Sequence, residues 1–222
     1  MLEFEVSSPS LLISECFLSL QGESTHQGKL CAFVRLSGCH LRCRWCDTAY
    51  AFSGGQRMSV EEVAAKVLSM GCGLVEVTGG EPLLQPGVYV LMEKLLEAGL
   101  EVLLETSGSI YLDKVPLAVK KIVDFKPPGS GEAAHNCWAN LSLLKKGDEV
   151  KFVLASQEDY AWAKEVCRRE GLFGGEVEVL FSTVLGLLSP LEVATWLIAD
   201  KLPVRFQLQQ HKYIWGGEQR GV

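Results

Sequence analysis

The chain has 222 residues, 48% of them hydrophobic and 22% charged, enough for one sizeable core and one domain over 1–222. A net charge of −6 and a pI near 5.3 weigh against a nucleic-acid partner or an anionic membrane surface. No apolar run reaches a bilayer span, and the opening Met1-Leu2-Glu3-Phe4-Glu5 lacks the basic start and apolar stretch of a secretory leader, so a cytoplasmic protein is expected.

Strands are predicted over 11–18 and 31–37, both short and apolar. Ser59-Val60-Glu61-Glu62 is a capping box, and Val63, Val67 and Met70 continue it at helical spacing. A strand over 74–78 follows. The next helix, 88–98, carries Leu91, Leu95 and Ala98 on one face, with Gly99 as its stop. Strands fit 101–106, 121–125 and 149–154, then a helix over 157–170 and a strand over 176–181. Ser189-Pro190-Leu191-Glu192 opens a further helix with an N-cap, an N1 proline and a capping-box glutamate. A strand over 204–209 ends the series. Strands rich in Val, Leu, Ile and Phe alternating with helices give an α/β fold with a mainly parallel sheet, open or curled into a partial barrel. Ligands bind such sheets at the carboxyl ends of the strands.

Cysteines occur at 16, 31, 39, 43, 46, 72, 137 and 167. Cys31, Cys72 and Cys167 lie in apolar or helical segments and read as buried core residues. Cys137, after His135 in a loop, reads as a free surface thiol, with a reactive thiol or a metal ligand as the alternative. Cys39, Cys43 and Cys46 have the spacing C-x3-C-x2-C on the loop after the 31–37 strand. Three such thiolates can hold three irons of a four-iron cubane and leave the fourth iron open to a small molecule. The competing reading is structural zinc, which needs a fourth ligand; His40 adjoins Cys39 too closely to be the obvious one, although a distant histidine would serve.

Directly after the 74–78 strand comes Thr78-Gly79-Gly80-Glu81-Pro82. Its two glycines let backbone approach a ligand closely; an ordinary strand-to-helix turn has the same composition. Cysteine loop and glycine turn together resemble the radical S-adenosylmethionine superfamily. That resemblance implies a 4Fe-4S cluster on the three cysteines, with the open iron binding S-adenosylmethionine. It also implies cofactor contacts from Gly79, Gly80 and Glu81, and a 5′-deoxyadenosyl radical that abstracts substrate hydrogen. The fold it implies is a partial, open (β/α) barrel with reduced helical content.

Longer stretches resemble the 7-carboxy-7-deazaguanine synthase family. They include Leu20-Gln21-Gly22-Glu23, Phe33-Val34-Arg35, Cys46-Asp47-Thr48, Glu105-Thr106-Ser107-Gly108, Lys126-Pro127-Pro128-Gly129-Ser130, Gln209-Gln210-His211 and the tail from Trp215 to Val222. The resemblance implies a lyase that contracts the ring of 6-carboxy-5,6,7,8-tetrahydropterin with loss of ammonia. The implied substrate contacts are Gln21, Glu23, Arg35, Thr78 and His211. An amide and a carboxylate match a pterin edge, and a guanidinium fork suits a carboxylate. Solvated loop residues and a structural ion pair are the plain alternatives for Gln21, Glu23 and Arg35. Thr48 is the implied magnesium contact, a hydroxyl for a hard cation, against a helix-capping role. Glu105, Ser107 and Lys126 are implied contacts to the cofactor. The resemblance further implies an electron donor such as flavodoxin or ferredoxin, and a homodimer.

The chain departs from the family pattern in two places. Gly28-Lys29-Leu30 stands where a Gly-Arg-Pro stretch is often seen, and Phe181-Ser182 stands where some members have a Gln-Pro strand end that contacts the cofactor, so that contact is not carried over. The chain also runs on past His211, so the family's use of a terminal carboxylate near the substrate is not carried over. Two rival readings share the cysteine motif: an activase of a glycyl radical enzyme, and a non-catalytic iron–sulfur or zinc-binding adaptor.

Overall fold

The computed structural model describes residues 9–217 and 219–222. The Met1–Glu5 stretch and Glu218 of the tail motif lie outside the described residues. Nine strands form one sheet: β1 (Ser10–Leu20), β2 (Leu30–Leu36), β3 (Gln56–Ser59), β4 (Leu74–Gly79), β5 (Glu101–Thr106), β6 (Lys120–Asp124), β7 (Glu149–Leu154), β8 (Glu178–Thr183) and β9 (Arg205–Phe206), in the order β3-β1-β2-β4-β5-β6-β7-β8-β9. From β2 onward every pairing is parallel, and β1 is antiparallel to both its neighbours. The parallel strands follow one another in chain order. Right-handed crossovers then carry the helices that connect these strands to the same side, and the sheet twists into a partial, open barrel.

The helices are α1 (Val60–Ser69), α2 (Gly87–Glu97), α3 (Gln157–Arg169), α4 (Pro190–Asp200) and α5 (Gln210–Trp215). Both predicted capping boxes are present, at Ser59/Glu62 and Ser189/Glu192. The buried residues of α1–α4 join a single core with Ala32, Val34, Leu36, Val75, Val77, Val102, Leu104, Val123, Phe125, Val150, Phe152, Val179 and Phe181 of the strands. No α-helix lies between β5 and β6 or between β6 and β7; in the second of these connections three 3-10 turns, Pro128–Ser130, Ala133–His135 and Trp138–Leu143, take the place of one.

The strand residues that alternate with this core face the other way, into the barrel. Low in the barrel they make a small apolar plug of Cys31, Phe33, Cys72, Leu74, Leu103 and Ile122, with Phe17 stacked on Phe33 at 5.1 Å. Above the plug the same faces are polar: Arg35 on β2, Glu76 and Thr78 on β4, Glu105 on β5, Asp124 on β6 and Lys151 on β7. β1 changes sides part-way. Leu11 and Ile13 belong to the helix-side core, whereas Glu15 lines the interior; a β-bulge between Ile13 and Glu15 reverses the alternation.

Several sequence expectations shift. β8 runs 178–183 rather than 176–181, and β9 keeps only Arg205 and Phe206 of 204–209, because Gln207 and Gln209 turn inward and are buried. β3 and α5 had no sequence signal strong enough to predict them. Cys31, Cys72 and Cys167 are buried as expected, and all eight cysteines are free. No helix among the described residues is long and apolar enough to cross a membrane.

Candidate active site

The barrel interior opens into a cavity of about 250 Å³. Its upper wall comes from loops at the carboxyl ends of the strands. Cys39, Cys43, Cys46 and Thr48 follow β2, Gly79 and Gly80 end β4, Ser107 follows β5, and Lys126 follows β6.

Its floor is the loop between β1 and β2. Thr25 donates to Glu149 at the start of β7, by Oγ1 at 2.5 Å and by its backbone N at 3.0 Å, and His26 Nε2 lies 3.0 Å from Glu101 at the start of β5. Gln21, Gly22 and Glu23 of this loop face the cavity, and Gln210 N donates to Gly22 O at 2.9 Å, which brings α5 and His211 to the same wall.

Fourteen of the fifteen residues singled out from the sequence therefore meet in one cavity; Glu81 does not line it. The Glu81 carboxylate is fully buried and accepts from Thr106 Oγ1, Ser107 N, Ser107 Oγ and Leu83 N at 2.6–3.1 Å. Its side chain fixes the β5 strand end under the glycine turn. The Ser107 hydroxyl donates to Glu81 and also lies 2.8 Å from Ser109 Oγ.

The glycine turn and the cysteine loop are packed without spare room. A Cβ on Gly80 would stand 2.4 Å from Gly38 O and 2.7 Å from Cys39 Cβ. Gly80 N donates to Leu36 O and Glu81 N to Gly38 O. With its N–H groups spent, the turn offers carbonyl oxygens, which suit a ligand's ammonium group.

Gln21 is 3% exposed and donates its amide to Glu76, while its Oε1 accepts from Glu23 N at 3.0 Å. It therefore holds the floor as much as it faces a ligand. Lys151 Nζ lies 2.6 Å from Glu23 Oε2 and 2.7 Å from Glu105 Oε1. Burial opposes ionisation of Glu23, but the Lys151 and His211 charges outweigh it and hold the carboxyl below its ordinary value. Glu105 sits in this lower layer, beside Lys151. Arg35 Nε bonds Glu15 Oε1 at 2.7 Å, and Tyr50 Oη donates to the same oxygen at 2.7 Å. No hydrogen bond among the described residues engages the two terminal nitrogens of Arg35, so its fork stays open. Lys126 Nζ pairs with Asp124 Oδ2 at 2.8 Å, and Asp124 Oδ1 is buried without a partner. Burial lowers the affinity of His211 for a proton, against the attraction of Glu23.

Thr48 precedes the 3-10 turn Ala49–Phe52 but makes no side-chain capping bond; its hydroxyl lies 3.7 Å from Cys46 Sγ. That removes the capping alternative. His40 Nε2 lies 3.0 Å from Ser109 Oγ, outside the cavity. Among the described residues no group of three or more His, Cys, Asp or Glu is set to hold a single metal ion.

The strand residues Glu76, Asp124 and Lys151 went unnoticed in the sequence, and the tail was noticed only as part of the resemblance, with no role assigned. Their signal was present: a charged side chain inside an apolar strand needs a buried partner or a ligand. Gly216, Gly217 and 219–222 of the tail line the cavity mouth, where Arg220 stacks over the Tyr50 ring at 3.9 Å.

Residues 33–126 match the Radical SAM superfamily. A 7-carboxy-7-deazaguanine synthase from Chlorobaculum tepidum is 47% identical over 96% of this chain and 97% of its own length. The chain belongs to the 7-carboxy-7-deazaguanine synthase family. The family's protein from Koribacter versatilis is 45% identical over 95% of this chain and 99% of its own. The crystal structure of QueE from Escherichia coli shares the fold, with a TM-score of 0.74 at 20% identity over 91% of this chain and 95% of that one.

Membership of this family makes the chain a radical S-adenosylmethionine enzyme and implies a four-iron cluster and S-adenosylmethionine. The residues present fit both. Three free thiols on one loop line the cavity, and the glycine turn presses against that loop.

Proposed function

We propose that this chain converts 6-carboxy-5,6,7,8-tetrahydropterin to 7-carboxy-7-deazaguanine, by ring contraction with loss of ammonia, in 7-deazapurine biosynthesis of the queuosine type. The observation that carries this reading is the near-full-length likeness to 7-carboxy-7-deazaguanine synthase, 47% identical over 96% of the chain. The cavity supports it, with thiols at one end and a polar layer suited to a heterocycle at the other.

In this reading Cys39, Cys43 and Cys46 hold the cluster. Gly79 and Gly80, with the backbone of Glu81, Ser107 and the Lys126–Asp124 pair, orient S-adenosylmethionine. When bound, cluster and cofactor supply hydrogen-atom abstraction. The floor of the cavity binds and orients the substrate. Ionised Glu23 accepts from its N–H edge, Arg35 presents its free fork to the carboxylate, and Thr78 and His211 add polar contacts. Glu105 belongs with this group by position, because it shares Lys151 with Glu23. The tail over Tyr50 and the loop below the plug limit water at the reacting centre.

Thr48 would hold magnesium, since its hydroxyl suits a hard cation, and the ion would supply stabilisation of negative charge. An external carrier such as flavodoxin or ferredoxin supplies the electron; exposed Arg42 and Arg44 on the cysteine loop suit an acidic one. The working form is a cytoplasmic homodimer.

The test is to reconstitute the cluster anaerobically and add S-adenosylmethionine, reductant, magnesium and the pterin. The expected result is 7-carboxy-7-deazaguanine by mass spectrometry. Cofactor cleavage without that product would reject the substrate and favour an activase. No response of the cluster spectrum to S-adenosylmethionine would favour a non-catalytic adaptor.

A further inference from the structure

Three carboxyl groups and one ammonium meet in the lower layer of the cavity. Lys151 is 4% exposed at its side chain and uses two of its three donors on Glu23 and Glu105. Glu76, on β4 in the same layer, is 3% exposed and receives only the Gln21 amide. No other hydrogen bond or ion pair reaches its carboxyl among the described residues.

The groups around Glu76 supply no cation for it. Arg35 on β2 is turned to Glu15, and Lys126 after β6 is turned to Asp124. Cys31, also on β2, is a buried thiol pushed upward by burial and then by Glu76 itself. Glu105 on β5 and Glu23 on the floor loop bring negative charge, and Lys151 on β7 is shared between them. A buried carboxylate with no cation of its own takes up a proton rather than remain charged. Burial first, then the Glu105 charge, hold Glu76 well above the ordinary carboxylate range, with Lys151 opposing them.

We propose that Glu76 stands in the cavity wall as a neutral carboxylic acid whose hydroxyl donates a hydrogen bond to an acceptor on the substrate heterocycle. This rests on the pterin reading above. A 2-amino-4-oxopyrimidine edge carries donors and an acceptor side by side. Ionised Glu23 only accepts, whereas neutral Glu76 donates, so two carboxyls of opposite protonation read both parts of one edge. Gln21 fixes the pair, with its amide on Glu76 and its carbonyl on the Glu23 backbone. Glu76 acts on binding and orientation, without entering the bond-breaking steps.

Infrared spectroscopy of the cluster-free protein at neutral pH tests the charge state without substrate. The carbonyl stretch of a protonated acid is expected in the parent chain and its loss is expected in Glu76→Gln. Glu76→Gln keeps an N–H donor and should leave the pterin KM within about threefold. Glu76→Leu removes the donor and should raise KM about tenfold or more, with kcat changed far less. In the parent chain KM should climb at alkaline pH as Glu76 ionises against Glu23 and Glu105, and in Glu76→Gln that limb should vanish. A purely structural role would not move the pH limb. An unchanged infrared spectrum in Glu76→Gln, or a Glu76→Leu variant with the parent KM, would overturn the proposal. A parent enzyme that does not turn over the pterin would reject the function, and the infrared band would then still decide whether Glu76 is neutral.

Discussion

The imidazole of His211 fills the space where Gly22 would carry a side chain. A Cβ there would stand 2.2 Å from His211 Nδ1 and 3.0 Å from His211 Cβ. Residues 189 positions apart in sequence thus share one volume at the cavity wall, fastened by the hydrogen bond from Gln210 N to Gly22 O. Gly22→Ala should push the ring aside and lower turnover by about tenfold to a hundredfold. The same substitution in a His211→Ala background should add almost nothing, because the colliding ring is already gone. Additive losses in that double-mutant cycle would show that Gly22 acts some other way.

Gly80→Ala meets backbone rather than a movable side chain. Its Cβ would fall 2.4 Å from Gly38 O, so the cysteine loop itself must shift, at a cost of about 1–3 kcal/mol. Iron and sulfide content after reconstitution should drop sharply. A variant with full cluster loading would contradict the tight seating of the two turns.

Thr48 makes no capping bond, so Thr48→Ala should fold normally and take up a full cluster. The magnesium concentration for half-maximal rate should rise at least about tenfold. Unchanged magnesium dependence would remove Thr48 from the metal site.

Lys151 neutralises both Glu23 and Glu105 in a buried layer. Lys151→Met strands those carboxylates and should cost about 3–5 kcal/mol in urea unfolding. The loss should shrink on acidification. Lys151 is a main cause that holds the Glu23 carboxyl low, so without the lysine protonation relieves the stranded buried charge. A variant whose stability falls further in acid would refute this account of the layer.

The Glu101 carboxyl lies near the rim of the floor. The hydrogen bond from Lys120, then that from His26, both opposed by burial, hold its pKa at about 2. A depressed carboxyl pKa contributes stability that is full above the ordinary value near 4.5 and is lost as pH falls toward about 2. The group is well exposed, so Glu101→Gln should cost less than about 1 kcal/mol. That cost should fade between pH 4.5 and 2 in acid unfolding curves.

Much of this was legible in the chain. The capping boxes at Ser59 and Ser189 act within four residues, so local chemistry fixes them. The cysteine loop and the glycine turn each fall directly after an apolar strand, and that places them at the carboxyl edge. Glu81 was legible as part of a motif but not as a buried strut, since its partners Thr106 and Ser107 lie on the next strand. The end of β9 was misplaced because Leu208 O and the Gln209 side chain turn to Gln27 and Glu23 of the floor loop, about 180 residues earlier.

The sequence by itself determined the local elements, the three thiols on one loop and the two faces of every strand. Period-two alternation says that a strand has two faces, but not which one meets helices and which one meets a ligand. Only the tertiary structure decided that Arg35, Glu76, Glu105 and Lys151 share one interior. A one-residue bulge put Glu15 there too, and pairing left Glu76 without a cation. The physical reason is that charge state depends on burial and on neighbours. Those neighbours come from strands far apart in the chain that face one another only when the sheet curls.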